Sequence, residues 1–308
     1  MSFQRRSVAS SLKGVRPGLV ATTSAGSSQL DSILGGGLPL GSVNLIAEDA
    51  HNVFAIQLTK SFIAEGIAHG HRVMIIDGGT SLDLSELPKK IPREWKLPQT
   101  RDEMKIAFRY ERLPEHQSLP ESQSDHIFDF VLSIEPEELA KADIVRCNCL
   151  VQSSEEILRI LASSIPSDNV LRVVATVGLL LDHKFLRTLK ILSRHVNVVC
   201  WVSVPHCCSN ERFQRFFAIA DAVLSLVAFS SDQRKTNPLY KKHHGLLNLD
   251  KIPEINSITG HKPPCVEYAF HQTGKRFDIE QLHMPPDLSE SPPTMSCQTS
   301  GGNRAMDF

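Results

Sequence analysis

No stretch of this 308-residue chain approaches the roughly 20 consecutive apolar residues that a membrane-spanning helix needs, because charged or polar groups interrupt every apolar run. Neither the charged n-region nor the apolar h-region of a secretory leader is present, so a soluble protein is expected. The seven cysteines are an odd number, which fits free thiols in a reducing cytosolic or nuclear compartment better than a disulfide framework. An excess of one charge is also missing. With 33 basic and 34 acidic residues the chain has no global field to hold nucleic acid, and any such contact must come from a local patch or from partner chains.

The most consequential absence is a phosphate loop. Gly35-Gly36-Gly37-Leu38-Pro39-Leu40-Gly41 feed an apolar strand, Val43 to Ala47, followed by Glu48-Asp49-Ala50-His51-Asn52 and an amphipathic helix. A nucleoside triphosphatase of this layout carries G-x-x-x-x-G-K-[ST] at that junction, with glycines letting backbone N–H groups wrap the phosphates and a lysine supplying charge. Here the junction has no glycine and no lysine, and two carboxylates stand where polyphosphate would lie. Asp49 or Asn52 can cap the helix and use the donors and positive dipole end that would otherwise attract an anion.

Residues 1–20 read as a disordered basic tail, since Arg5, Arg6, Lys13 and Arg16 lie in a serine-rich stretch that Gly14 and Pro17-Gly18 interrupt. Order is expected from residue 21 to residue 284, opening with a short helix over 29–34 that Ser27 or Ser28 caps. Helix 53–66 and strand 72–77 complete a β-α-β unit. Five prolines between residues 79 and 124 mark an irregular insertion, within which only 104–110 resembles a strand. Helix 153–164, strand 170–177, helix 184–193, strand 196–204, helix 210–220 and strand 222–228 then alternate. Such a pattern argues for a wound α/β sheet whose strands are buried on both faces. Short runs at 245–250, 265–271 and 276–282 are expected as antiparallel strands at one edge, before a flexible tail at 285–308.

Other motifs were weighed against structural roles. Lys60-Ser61 has the end of a phosphate-loop signature, but it lies about two helical turns beyond the strand, and a surface lysine and helix-face serine are expected. Asp77, at a strand end, is the best candidate for a magnesium-holding acid, but without a lysine and glycine loop opposite it reads as a solvated carboxylate. His206-Cys207-Cys208 with Cys147 and Cys149 has spacing poorly suited to zinc, and buried thiol fillers are expected. Arg234, Lys235, Tyr240, Lys241 and Lys242, with His243 and His244, form the best local candidate for RNA or interface contact. Cations there would bind phosphates and the aromatic would stack on an unpaired base, or the loop would pair with acids on a neighbouring subunit, or stay solvated. Lys89, Lys90, Arg93 and Trp95 form a weaker patch.

Six segments in order resemble the PAXNEB family, the fourth subunit of the Elongator complex: Gln29-Leu30-Asp31 with Leu34 to Leu38, Glu48-Asp49, Ala64-Glu65-Gly66, Met104 to Tyr110, Thr236 to Lys241 with His244-Gly245-Leu246, and Glu280 to Leu288. Residues 111–150 look shorter and more divergent than that family's pattern. The resemblance implies a RecA-like fold and a place in a hetero-hexameric ring with two other RecA-like Elongator subunits. It also implies a pathway, modification of the wobble uridine of tRNA, whose chemistry belongs to a separate catalytic Elongator subcomplex while the ring handles tRNA. On this reading the chain alone binds no cofactor and has no catalytic or metal-binding residue. The alternative it leaves open is an ATPase whose ATP lies at ring interfaces and whose site a partner completes. Cytoplasmic and nuclear localisation is expected.

Overall fold

The computed structural model describes residues 12–18, 20–78, 82–91, 127–176, 182–194, 196–236, 238–255 and 261–281. Most of the expected basic tail, the strand expected at 104–110, and the tail at 285–308 lie outside these residues. The chain opens with two short strands, β1 (Val15–Arg16) and β2 (Thr22–Thr23), then helix α1 (Ser28–Ile33) and strand β3 (Leu38–Pro39), which closes a three-stranded sheet on β2. Ser27 is the cap of α1, its hydroxyl accepting from the Leu30 amide. Beyond α1, Gly35, Gly36 and Gly37 all take positive φ (80°, 117° and 113°). That left-handed run is open to glycine and strained for other residues. It turns the Gly36 and Gly37 amides back onto the Asp31 carbonyl at 2.8 and 3.1 Å.

The core begins with β4 (Val43–Ala47), α2 (Ala55–His69) and β5 (Arg72–Asp77). After a 3-10 turn at Leu84–Glu86 come β6 (Pro88–Ile91), β7 (Ile127–Ser133), α3 (Pro136–Lys141) and β8 (Ile144–Asn148). The alternation continues through α4 (Ser154–Ser164), β9 (Leu171–Thr176), α5 (His183–Ser193), β10 (Val198–Val204), α6 (Asn210–Ile219) and β11 (Ala222–Ala228). Last come α7 (Ser231–Thr236), a 3-10 turn at Pro238–Lys241, and β12 (Gly245–Lys251), β13 (Glu267–Gln272) and β14 (Phe277–Gln281).

Nine strands form one sheet in the order β14-β13-β12-β11-β4-β10-β9-β5-β8. Pairings from β11 to β8 are parallel and those from β11 to β14 antiparallel. This is the expected wound, mostly parallel sheet with an antiparallel C-terminal edge. Along β4, Ile46 packs with α2 residues Leu58, Phe62 and Ile63 on one face, while Val43 and Leu45 join Leu161, Leu186, Leu189 and Phe216 from α4, α5 and α6 on the other. Helices therefore cover both faces, and near-continuous apolar strands follow from that double burial.

Several features differ from the sequence expectation, the unannounced helices α3 and α7 among them. The stretch read as insertion begins with ordered backbone, because β6 pairs antiparallel with β7 and brackets residues 92–126. Strand β8 was not foreseen. It lies at the sheet edge with Arg146 and Asn148 exposed and only Cys147 buried, so it lacks the apolar run that marks the inner strands.

Beneath the C-terminal half of α2 the sheet buries a charged cluster. Arg172 on β9 is fully buried and donates to His71 Nδ1 (3.0 Å), the Phe62 carbonyl (3.1 Å) and Thr23 Oγ1 (2.8 Å), with its guanidinium 4.6 Å from the Phe62 ring centre. Gly66 makes this possible, since a β-carbon there would come within 2.7 Å of Arg172 Cδ. Because His71 Nδ1 accepts from Arg172, its other nitrogen carries the proton and donates to the Lys13 carbonyl at 2.8 Å, tying the N-terminal segment to the core. Burial, then the Arg172 charge, holds the His71 pKa down at about 3. Asp31, buried and accepting from the Ala25 amide at 2.7 Å, is pushed up to about 6 by burial.

These shifts act in opposite directions. Between pH 6.5 and 3 the unfolded chain protonates His71 while the folded one does not, so its contribution to stability is lost as pH falls. Folded Asp31 keeps its proton up to pH about 6 while the unfolded chain releases it near 3.8, so ionisation costs stability as pH rises through that window. A His71→Gln substitution keeps one donor and one acceptor and removes only the first effect. The destabilisation it causes should shrink by about 1.4 kcal/mol per pH unit on going from pH 6 to pH 4, as read from urea unfolding. A pH-independent difference would show that His71 is not held neutral.

Candidate functional site

Strand β4 is flanked by β10 and β11, and the chain leaves it toward α2 on one face, whereas it leaves β10 toward α6 on the other. In open α/β sheets, ligands bind at such a divergence of the loops beyond the strand C-termini. The Glu48 amide extends the ladder by donating to the Val204 carbonyl at 2.8 Å, and a turn then closes from the Asn52 amide to the Asp49 carbonyl at 2.9 Å. Asn52 takes φ 50°, the one positive value for a non-glycine among the described residues, and asparagine tolerates that region better than most.

This turn carries the Asp49 carboxylate under the start of α2. Its Oδ2 accepts from the Val53 amide at 3.0 Å, and its Oδ1 accepts from the Phe54 and Ala55 amides at 3.0 and 3.2 Å. Asp49 is 3% exposed. Of the two caps that the sequence allowed, the structure selects Asp49, and the Asn52 side-chain oxygen makes no hydrogen bond. A tethered carboxylate therefore occupies the donors and dipole end that a phosphate loop would offer to a ligand. Glu48 lies beside it, its Oε1 accepting from the Ser203 hydroxyl of β10. Burial raises the Glu48 pKa, against the Ser203 hydrogen bond that lowers it, and the neighbouring Asp49 raises it further. Nothing in the sequence marked Ser203, one of several small polar residues in apolar strands.

Beyond these acids a groove of about 420 Å³ opens between the loops leaving β4 and β10, walled by Ala47, Pro205, Phe213 and Val227. Lys60 and Ser61 face away from any such site. Lys60 is not the expected surface residue. Its stem is buried and its ammonium meets Glu86 Oε2 at 2.6 Å, while the Ser61 hydroxyl donates to the Gln57 carbonyl at 3.0 Å. Asp77 ends β5, three strands from β4, or about 14 Å at ordinary strand spacing, too far to share an ion with a phosphate at α2. Cys147 on β8 is likewise three strands from β10, which Cys207 and Cys208 follow. Burial pushes the Cys147, Cys149 and Cys208 thiols upward, opposite to an activated nucleophile. Among the described residues no group of three or more His, Cys, Asp or Glu could hold a metal ion.

The basic loop lies at the same edge of the sheet, after β11. Ser230 and Gln233 cap α7 reciprocally, the Ser230 amide donating to the Gln233 side chain at 2.9 Å and the Gln233 amide to the Ser230 hydroxyl at 3.2 Å. Arg234 is half-buried and donates to the Lys241 carbonyl at 3.4 Å, bracing the loop. Lys235, Lys241 and Lys242 are exposed. Tyr240 stacks on Phe229 with ring centres 4.2 Å apart, so one face of the ring is already taken. The loop joins the α2 start through His244, whose ring centre is 5.8 Å from that of Phe54 and whose pKa is lowered by burial and then by Arg234. In the weaker patch, Lys89 pairs with Glu135 at 2.5 Å, Lys90 lies on β6, and Arg93 and Trp95 lie outside the described residues.

Removing the internal anion tests the cap. Asp49→Ala leaves the Ala55 amide that opens α2, and the Val53 and Phe54 amides just before it, without their acceptor and should lower the unfolding free energy by about 2 kcal/mol. Sulfate or inorganic phosphate should then raise the variant's Tm more than that of the parent protein in scanning calorimetry. Equal salt responses would mean that the carboxylate does not fill an anion site.

Comparison with known proteins places this architecture in a family. The PAXNEB protein model matches residues 8–308. Elongator complex protein 4 of Xenopus laevis is 32% identical, covering 98% of this chain and 90% of that protein. The Danio rerio and Homo sapiens proteins of the same name are each 30% identical, covering 100% and 91% of this chain and 96% and 81% of their own lengths. A solved KaiC-like protein from Pyrococcus horikoshii OT3 aligns over 84% of this chain and 99% of its own, at 15% identity and TM-score 0.49. The family match spans nearly the whole sequence, Glu48 and Asp49 included, and the chain belongs to the PAXNEB family.

Proposed function

We propose that this chain is a structural and tRNA-handling subunit of a hetero-hexameric Elongator accessory ring. Two other RecA-like Elongator subunits complete the ring, which supports wobble-uridine modification by the catalytic Elongator subcomplex in the cytoplasm and nucleus. The observation that carries this reading is the Asp49 carboxylate, which occupies the amides at the start of α2 where a phosphate loop would present them to a nucleotide. Relatives at 30–32% identity bear the Elongator name. The exposed Lys235, Lys241 and Lys242 at the C-terminal edge of the sheet offer phosphate contacts.

Two measurements test the proposal. Affinity purification of the native protein should recover other Elongator subunits, and its recovery alone would overturn the assignment. In the assembled ring, reversing charge at Lys235, Lys241 and Lys242 should weaken tRNA binding and reduce the slope of log affinity on log salt by about 0.7–0.9 per lost phosphate contact. Arg234 is left intact because it braces the loop. Intact tRNA binding with broken assembly would make the loop a subunit interface. Micromolar ATP binding by the purified single chain would instead restore an enzymatic reading.

A further inference from the structure

The groove beyond Glu48 and Asp49 is opposite in character to a nucleotide site. Its walls are mainly apolar, with Pro205, Phe213 and Val227 among them, and Val227 is 50% exposed on a strand whose other residues are largely buried. At the β4 end stands Glu48, half-buried. One of its oxygens is held by Ser203, and none of the ion pairs formed among the described residues involves it. Asp49 adds negative charge alongside, its oxygens already engaged by α2 amides. An apolar trough ending in an uncompensated carboxylate suits a long apolar stem with a cationic head. It repels phosphate.

We propose that this groove docks a basic side chain, arginine or lysine, presented by a partner polypeptide, with the stem along Phe213 and Val227 and the cation on Glu48. Charge complementarity selects a protein over a nucleic acid, since the Glu48 carboxylate in the lining, with Asp49 behind it, disfavours a polyanion, and the exposed Lys235, Lys241 and Lys242 lie on the separate loop after β11, although His206 lines the groove and Arg212 stands beside Cys208. The position at the loop divergence beyond β4 and β10 gives the partner the crevice that a ligand otherwise occupies in this architecture. Ser203 is a positioning residue in this scheme, fixing one carboxylate oxygen so that the other faces the incoming cation.

The proposal rests on the ring assignment above, and its test separates the two. The full chain is co-expressed with the two other RecA-like Elongator subunits, and assembly is quantified by titrating this chain against the pair. Glu48→Arg should weaken association by tenfold or more, Glu48→Gln should weaken it less, and Glu48→Asp should largely restore it. A photo-crosslinking residue at Val227 should capture a partner peptide that contains Arg or Lys. Normal assembly of Glu48→Arg would overturn the docking proposal and leave the ring assignment standing. Capture of RNA, of a nucleotide probe, of this chain's own residues, or of a partner peptide with no basic residue would also overturn it. Failure of the parent protein to assemble would defeat the ring assignment itself. Circular dichroism of Glu48→Arg checks that loss of binding is not loss of fold.

Discussion

The first amides of α2 must be satisfied, and the way this chain satisfies them governs what its fold can do. A helix beginning at the C-terminal end of a central parallel strand presents unpaired N–H groups and a positive dipole end at the sheet's natural binding crevice. Here the acceptor is the side chain of Asp49, reaching the Val53, Phe54 and Ala55 amides from a turn that closes at Asn52. Because that acceptor is covalently attached, a free anion competes at a disadvantage. The groove beside this strand end is lined by the Glu48 carboxylate and mainly apolar walls.

A second constraint holds the opposite end of α2. Arg172 spends its donors on His71, the Phe62 carbonyl and Thr23, and His71 passes the connection on to the Lys13 carbonyl. Leaving a buried donor without its acceptor typically costs about 1–3 kcal/mol, and more for a charged group, so Thr23, His71 and through them the N-terminal segment are held in place. Asp31 and its glycine turn brace the same segment from the other side, with Arg16 donating to the Gly36 carbonyl at 2.6 Å. The wound sheet is thus clamped beneath α2 while its C-terminal edge carries the loops available to partners.

Much of the sheet was legible because its strands are local signals. Val43–Ala47 and Arg72–Asp77 are runs buried on both faces, Ala222–Ala228 is so over its first three residues, and the limits of all three match the apolar runs in the sequence. The glycine turn, the Ser27 cap of α1 and the antiparallel C-terminal strands carry similarly local chemistry. Strand β8 was illegible because an edge strand needs only one buried residue, Cys147, and its register comes from β5 rather than from its own pattern. Lys60 was misread for a related reason. Its buried ammonium is compensated by Glu86, which lies 26 residues away on a turn that no periodicity announces.

The candidate site divides along the same line. The sequence alone settled that no lysine-bearing glycine loop follows β4, that two acids stand there, and that a cluster of cations follows β11, since these are matters of residue identity within a few positions. Tertiary structure decided that Asp49 rather than Asn52 caps α2, that Ser203 holds Glu48, that Tyr240 spends one face on Phe229, and that the cationic loop roots beside Phe54. The Ser203 hydroxyl and the Phe54 ring come from elements far along the chain, whereas the Asp49 cap reaches amides only four to six residues on and depends on how the turn at Asn52 folds back. Backbone turn geometry and strand order set those distances, and neither is encoded in residue identity at the site.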